Sequence, residues 1–256
     1  RIAVVPALNH AVVNLLNISQ EEKLAAFIKV REFSADQFLV FATQNGIVKK
    51  TNLGEYQNIR ASGLIAIRIE DGDRLIGVQL TGGRDELMLV TRQGMSIRFD
   101  EEQLRDQGRD TVGVWGIELE EGGKDAVVSI EAVAPNATLL CISENGFGKR
   151  TSFEEYRNQS RGGKGIITMK TTDRNGAVVG AHAVRDNDSM MIITQQGQTI
   201  RIGVHDIRTI SRNTQGVRII NLEENDRVVS ATPVASEEDE EQAAGSAADT
   251  QPGAPV

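Results

Sequence analysis

The sequence repeats with a period of about fifty residues, and this period limits the folds open to the chain. Each unit begins with an apolar run and a glycine-containing turn, and an Asn-Gly or X-Gly turn between apolar runs is typical of a β-hairpin. The turn glycines are 48, 52 and 51 residues apart. The four turns are Gln44–Gly46, Arg92–Gly94, Glu144–Gly146 and Gln195–Gly197. A polar loop, an Arg, a second glycine and two further β-like runs complete each unit.

Four β-like runs per unit predict an all-β, propeller-like disc of at least four blades, because a single blade buries its faces only against its neighbours. We assign one domain to residues 1–234, in which 11–30 form the end of one blade and 1–10 fit no repeat. The complete repeats are 38–80, 87–133, 139–184 and 190–234. The competing interpretation, a two-domain sandwich, does not explain the uniform spacing. Polar loops such as Leu53–Tyr56 and Phe153–Tyr156 predict no more than a short helical turn.

Cations occur at fixed places in the repeat, four residues after each turn glycine and again before the second glycine. Repetition should align them around the perimeter of the disc, which predicts a basic rim. An alternative is scattered surface cations paired with Asp and Glu. The predicted DNA-binding residues are Lys49, Lys50, Arg60, Arg98, Arg109, Lys149, Arg150, Arg161, Lys164, Arg201 and Arg212.

The segment Arg161–Gly165 combines two cations with the glycines Gly162, Gly163 and Gly165. Exposed N–H groups of a glycine-rich turn can add to an anion site, and Arg161 and Lys164 favour an anionic partner. An ordinary solvated turn is the alternative.

A curved row of Lys and Arg suits a polyanion that bends around it, through phosphate contacts that depend strongly on salt and weakly on sequence. Bending 20–30 base pairs of duplex costs roughly 1–6 kcal/mol, which a dozen such contacts can offset. Aromatic residues, on which single strands stack, make up only 4% of the chain. The sequence therefore favours duplex DNA.

The formal net charge of −8 comes largely from the C-terminal segment 235–256, which has six acids and no Lys or Arg. The remaining chain has 28 basic and 30 acidic residues. The segment lacks large apolar residues, so we predict that it is disordered. We also consider a regulatory tail that folds back and competes with DNA. Its acidic run is Glu237, Glu238, Asp239, Glu240 and Glu241.

Residues for catalysis or metal binding are hard to find. His10, His182 and His205 lie far apart, without Cys or carboxylates at metal-ligand spacing. His205 next to Asp206 is most simply a loop pair. Cys141, the only cysteine, is in an apolar run that predicts a buried strand and a reducing, cytoplasmic location. We therefore expect no catalytic residue, no metal and no membrane span.

Long motifs resemble the C-terminal domain of the bacterial DNA gyrase A subunit over about residues 11–234. The family's signature box, Gln-Arg-Arg-Gly-Gly-Lys-Gly, lies in its first blade, whereas here a variant with Ser160 stands in a later unit. The matching segments are Phe41–Thr51, Glu144–Thr151, Gln159–Gly165, Thr172–Gly176 and Arg212–Val217.

The resemblance implies a six-bladed β-pinwheel whose blades exchange strands and whose basic rim wraps duplex DNA with positive handedness. It implies a non-catalytic part of an A2B2 heterotetramer with the gyrase A catalytic region and gyrase B, in which ATP-driven strand passage introduces negative supercoils. ATP and Mg²⁺ would be used elsewhere in that holoenzyme, so no cofactor is expected in this domain. The isolated domain is expected to be a monomer, and the protein to be bacterial, cytoplasmic and nucleoid-associated.

Two alternatives are the corresponding domain of topoisomerase IV, which has fewer blades and degenerate boxes, and a propeller that serves as a protein-interaction platform. The segment Thr172–Gly176 and the acidic tail favour gyrase. An interaction platform would need an apolar or mixed face and would bind DNA weakly, independently of the predicted rim cations.

Overall fold

Each predicted turn joins two antiparallel strands in the computed structural model of the chain. The turn glycines Gly46, Gly94, Gly146 and Gly197 have φ values from 75° to 88°, which a residue with a Cβ rarely adopts. The hairpin predictions are therefore confirmed. The structure describes residues 25–26, 28–30, 32–58, 63–120, 122 and 125–234.

Four antiparallel sheets form within these residues, which confirms the all-β, propeller-like prediction. Their strand orders are β3-β1-β2-β6, β10-β5-β4-β7, β11-β8-β9-β14 and β13-β12-β15. The strands are β1 Phe38–Thr43, β2 Ile47–Asn52, β3 Leu75–Thr81, β4 Glu86–Thr91, β5 Met95–Asp100, β6 Val114–Trp115, β7 Val127–Ala132, β8 Thr138–Ser143, β9 Phe147–Ser152, β10 Ile166–Ile167, β11 Val178–Val184, β12 Ser189–Thr194, β13 Thr199–Gly203, β14 Val217–Arg218 and β15 Val228–Val234.

The short strands β6, β10 and β14 are exchanged between blades. Each pairs with the second strand of the preceding repeat: β6 with β2, β10 with β5 and β14 with β9. This confirms the strand exchange expected of a pinwheel.

The second glycine of the repeat lets the exchanged strand approach its neighbour. A Cβ on Gly113 would lie 2.5 Å from the carbonyl oxygen of Val48, and one on Gly165 would lie 2.3 Å from that of Ser96. Both glycines have positive φ, 114° and 73°. Neither distance is possible for a real Cβ, so these glycines are required by the backbone contact.

The fourth strand of each repeat lies toward the centre, since β3, β7, β11 and β15 contact one another in succession. The exchanged strands lie at the opposite edge of each sheet. The segments that lead into them run along this edge, beside the preceding blade. We call these segments the outer-edge loops: residues 104–113, 156–165 and 207–216.

Each internal sheet is buried on both faces because it lies between two others. On β4, Leu87 and Leu89 pack against the first blade, whereas Met88 and Val90 pack against the third. Burying an aliphatic side chain completely contributes about 1.5–3 kcal/mol, so the strongest source of stability lies between the blades. Because both faces are buried, the successive residues Leu87–Val90 of this inner strand are all apolar in the sequence.

In the first repeat, the first of the two further β-like runs covers residues 64–69, but the structure has only a single bridge residue there, Leu64. An exchanged strand needs a preceding sheet, and the described residues contain none before β1. At the other end, the last sheet has three strands and leaves the side chains of Ile193 and Val229 exposed.

Candidate nucleic-acid interface

A short 3-10 turn follows the second strand of every blade, as predicted for Leu53–Tyr56 and Phe153–Tyr156. The residue at the start of each turn and one residue at its end are buried; in the third blade these are Phe153 and Tyr156, and in the second they are Glu101 and Leu104. The turn is thereby anchored in the core, and the next residue points outward. The turns are Leu53–Tyr56, Glu101–Gln103, Phe153–Glu155 and Val204–Asp206.

Three exposed arginines occupy this outward position: Arg105, Arg157 and Arg208. Two positions after Arg105, Gln107 donates its N–H to the carbonyl oxygen of Lys50 at 2.9 Å. Gln159 and Ile210, two positions after Arg157 and Arg208, make the corresponding hydrogen bonds. The backbone that carries these arginines is therefore fixed to the preceding blade. They were not among the residues predicted from the sequence, although their spacings of 52 and 51 residues match the repeat.

The cations four residues after the turn glycines have a different role from the predicted one. Lys50 and Arg150 are buried and Arg98 is half-buried. Arg98 Nη1 donates to the carbonyl oxygens of Phe153 at 2.6 Å and Tyr156 at 3.2 Å. Arg150 Nε donates to that of Ile207 at 2.7 Å.

These hydrogen bonds hold the 3-10 turn of the next blade in place, and Lys50 Nζ lies 3.5 Å from the carbonyl oxygen of Glu101. The prediction that Lys50, Arg98 and Arg150 contact DNA is therefore corrected, because these side chains bind the protein itself. Each arginine also binds a carboxylate: Arg98 donates to Glu86 at the start of β4, and Arg150 donates to Asp186 in the turn after β11. Arg201, at the same position in the last described blade, is exposed instead.

The predicted contacts at Lys49 and Lys149 are also corrected, because both side chains are fully buried. Lys49 Nζ donates to the carbonyl oxygens of Ala66, at 2.6 Å, and Arg109. Lys149 Nζ donates to those of Ser211, at 2.8 Å, and Arg212. Burial lowers the pKa of each lysine to about 8. Both lysines hold the backbone of an outer-edge loop and cannot reach a phosphate.

The arginine before the second glycine is half-buried at Arg109, Arg161 and Arg212. Arg161 Nη1 donates to the carbonyl oxygen of Trp115 at 3.0 Å, and Arg212 Nη1 donates to that of Ile167 at 2.9 Å. Arg161 Nε also donates to the carbonyl oxygen of Gln103 at 3.2 Å, so the protein uses two guanidinium nitrogens of Arg161 and one of Arg212. The rest of the fork remains available at the outer edge.

Lys164 is exposed, with 80% of its side chain accessible and Glu118 Oε1 3.8 Å away. The nearby glycine turn is less open than predicted. The N–H of Gly162 is donated to Gly116 O at 2.7 Å, and that of Arg161 to Gln103 Oε1 at 2.9 Å. Both N–H groups are therefore used within the protein and are not available to bind an anion. The prediction of an anion site at this turn is corrected for these two groups.

Some predicted residues lie outside the described part of the chain. They are Arg60, residues 1–10, most of 11–30 and the acidic tail with Glu237, Glu238, Asp239, Glu240 and Glu241.

The other sequence predictions concern single side chains. Cys141 is buried on β8, and burial raises the pKa of its thiol to about 11. His205 lies 3.5 Å from Asp206, as expected for a loop pair. His182 lies on β11 and bridges Glu131 on β7 and the carbonyl oxygen of Ala231 on β15. Within the described ranges, no group of three or more potential metal ligands occurs. No helix there is long and apolar enough to cross a membrane.

Comparison with solved structures supports the fold. The C-terminal domain of DNA topoisomerase IV superposes with a TM-score of 0.84 and 29% identity, covering 93% of this chain and 74% of that one. A DNA gyrase A C-terminal domain gives 0.78 and 24%, covering 89% and 75%.

Sequence comparison identifies the relatives. The DNA gyrase A subunit of Escherichia coli K12 is 45% identical over 230 residues, which cover 90% of this chain and 26% of the relative. That of Mycolicibacterium smegmatis is 40% identical over 237 residues, covering 92% and 28%. The chain thus spans about a quarter of the length of these relatives. The family model described as the DNA gyrase C-terminal domain, beta-propeller, matches residues 37–81, 85–134, 137–185 and 188–235. The chain therefore belongs to the family of DNA gyrase C-terminal β-propeller domains.

Proposed function

We propose that this domain binds duplex DNA along its outer-edge loops and bends it around the blades. The observation that carries the proposal is the recurrence of Arg105, Arg157 and Arg208, exposed at the same place in three successive blades. Each lies on backbone that is hydrogen-bonded to the preceding blade. The backbone at these positions is therefore ordered before a phosphate binds, which removes that part of the cost of ordering.

Five further cations of the sequence prediction remain accessible at the outer edge and extend this row. They are Arg109, Arg161, Lys164, Arg201 and Arg212. Their acidic neighbours do not oppose binding strongly. For example, Arg109 lies 4.0 Å from Glu55, and an exposed pair of this kind is worth about 0–1 kcal/mol. A phosphate can therefore replace the carboxylate. Several such contacts can offset the roughly 1–6 kcal/mol needed to bend a short duplex.

Salt dependence of duplex affinity tests the proposal, because each phosphate contact contributes about −0.9 to the slope of log K against log salt. We expect the double variant Arg157→Glu and Arg208→Glu to weaken binding and to flatten the slope by roughly 2. The matched control is Arg74→Glu with Arg227→Glu, which changes the same charge at exposed turns before the central strands β3 and β15. Equal losses in both double variants would contradict the outer-edge site.

Within a larger assembly, the proposed role is that of the non-catalytic C-terminal domain of the gyrase A subunit. Wrapped DNA would be presented to the catalytic region for ATP-dependent negative supercoiling with gyrase B, in the bacterial nucleoid. The names of the sequence relatives favour gyrase over topoisomerase IV. The domain itself would need neither ATP nor Mg²⁺. Relaxed circular DNA closed by a topoisomerase with the domain bound should acquire positive writhe, and unchanged topology would contradict wrapping.

A further inference from the structure

Large apolar side chains are exposed at one repeated position, two residues after the second glycine. The exposed fractions are 60% for Ile65, 59% for Trp115 and 39% for Ile167, and the fourth repeat has the exposed Arg218 at this position. The described residues contain six large hydrophobic residues that are exposed, and half of them occupy this single position. Isolated exposed apolar residues are normal on a protein surface, but a periodic set is not.

The alternation of side chains along a strand explains the exposure. On β6, Val114 packs against the core and Trp115 points away from it. On β10, Ile166 packs inward and Ile167 points outward in the same way. Because β6 and β10 are the outermost strands of their sheets, these exposed side chains lie at the outer edge.

A cation accompanies each of these apolar residues. Arg161 donates to the carbonyl oxygen of Trp115, and Arg212 donates to that of Ile167. Arg109 and Ile65 line the same shallow depression. The combination of a large apolar side chain with an adjacent guanidinium is what proteins use in the DNA minor groove, where an apolar wedge opens a base step and bends the duplex away from it.

We propose that Ile65, Trp115 and Ile167 are apolar wedges that enter the minor groove at successive points where it faces the domain, and so favour bent duplex. This inference rests on the proposed DNA binding and adds a role that phosphate contacts do not supply. The arginines neutralise phosphates on either side of the groove. The wedges lower the cost of the bend by unstacking the steps at which it is concentrated.

Trp115 is the only tryptophan of the chain, so selectively excited tryptophan fluorescence reports on this position alone. The full chain is titrated with a duplex of about 30 base pairs, while binding is followed independently by mobility shift. We expect quenched emission and protection from acrylamide at saturation. A duplex that binds while Trp115 stays as accessible as in the free protein would overturn the wedge and leave the proposed function intact. Absence of any binding would instead refute the proposed function.

Substitutions separate a wedge from a phosphate contact. We expect Trp115→Ser to weaken duplex binding about fivefold, while the slope of log K against log salt stays unchanged. The same variant should reduce the bend of the duplex, which is measured by energy transfer between its labelled ends. Trp115→Phe should retain most of both properties. Ile193→Ser is the control, since Ile193 is exposed to 40%, as Ile167 is, but lies on the face of the last sheet. Equal bends for Trp115→Ser and the unsubstituted chain would overturn the inference, and melting curves of each variant verify that it is folded.

Discussion

Arg98 Nη1 lies 2.6 Å from the carbonyl oxygen of Phe153, 55 residues further along the chain. This hydrogen bond connects the second strand of one blade to the 3-10 turn of the next. Arg150 Nε makes the corresponding connection one blade later, to the carbonyl oxygen of Ile207 at 2.7 Å, as Arg98 does to that of Tyr156. Assembly of the blades therefore explains the cation at this position in the second and third blades, whereas Arg201 in the fourth is exposed. The same recurrence, read from the sequence alone, had indicated DNA binding.

Replacement of Arg150 by Met should destabilise the domain by about 1–3 kcal/mol, because it leaves the carbonyl oxygen of Ile207, a buried residue, without its donor. The control is Arg201→Met, which changes the same repeat position where it is exposed and should cost no more than about 0.5 kcal/mol. Urea unfolding measures both. Similar stabilities for the two variants would contradict the structural role of Arg150.

The stabilising contribution of Lys149 should rise with pH. Burial lowers its pKa from 10.5 to about 8, so between these values the unfolded chain binds a proton that the folded chain lacks. Since stability increases with pH wherever the unfolded state binds more protons, the contribution is lowest below pH 8. The test is the difference in free energy of unfolding between the unsubstituted chain and Lys149→Met, at pH about 7 and about 9.5. A difference that stays constant or falls would refute the prediction.

Two glycines of the Arg161–Gly165 segment should respond differently to alanine. A Cβ on Gly165 would lie 2.3 Å from Ser96 O at a φ of 73°, so Gly165→Ala should cost about 2 kcal/mol or more. A Cβ on Gly163 would meet nothing closer than 3.6 Å, and Gly163→Ala should change stability by less than about 1 kcal/mol. Thermal melts of the two variants compare them directly. Equal melting temperatures would show that the exchanged strand does not require Gly165.

Cys141 should resist alkylation in the folded protein. Its thiol is buried, and burial raises the pKa to about 11, so little reactive thiolate is present near neutral pH. We expect iodoacetamide to react more slowly than with the urea-unfolded chain by a factor of roughly 10³ or more. Mass spectrometry of timed samples gives both rates. Fast labelling of the folded protein would contradict the packing of β8.

The acidic tail should compete with DNA. Its run from Glu237 to Glu241 is anionic, whereas the outer-edge loops carry exposed arginines. Deletion of the residues after Ala235 should therefore tighten duplex binding at low salt, with a smaller effect at high salt, where charges are screened. Fluorescence anisotropy of a labelled duplex measures the change. Identical affinities would leave the tail a solubilising role only.

The sequence predicted the architecture well because turn glycines and apolar runs are local signals that a fifty-residue period repeats. It could not show which cations are buried, since burial depends on the next blade. One hint was present: Ile97 stands in the second blade where Lys49 and Lys149 stand in the first and third, and an Ile at that position indicates an interior site. Arg105 was missed because the first repeat has Gln57 at the corresponding place.

Strand exchange also determines when each blade can be completed during synthesis of the chain. The blade formed by β1 and β2 is completed by β6, which belongs to the following repeat, and the next blade waits in the same way for β10. A ribosome makes the chain from the N-terminus, so each blade leaves the exit tunnel one strand short. Its open edge on β2 is filled by β6, which emerges only after β4 and β5 of the following repeat. Until then the edge can pair with another chain, so each blade depends for its protection on the synthesis of the repeat that follows it.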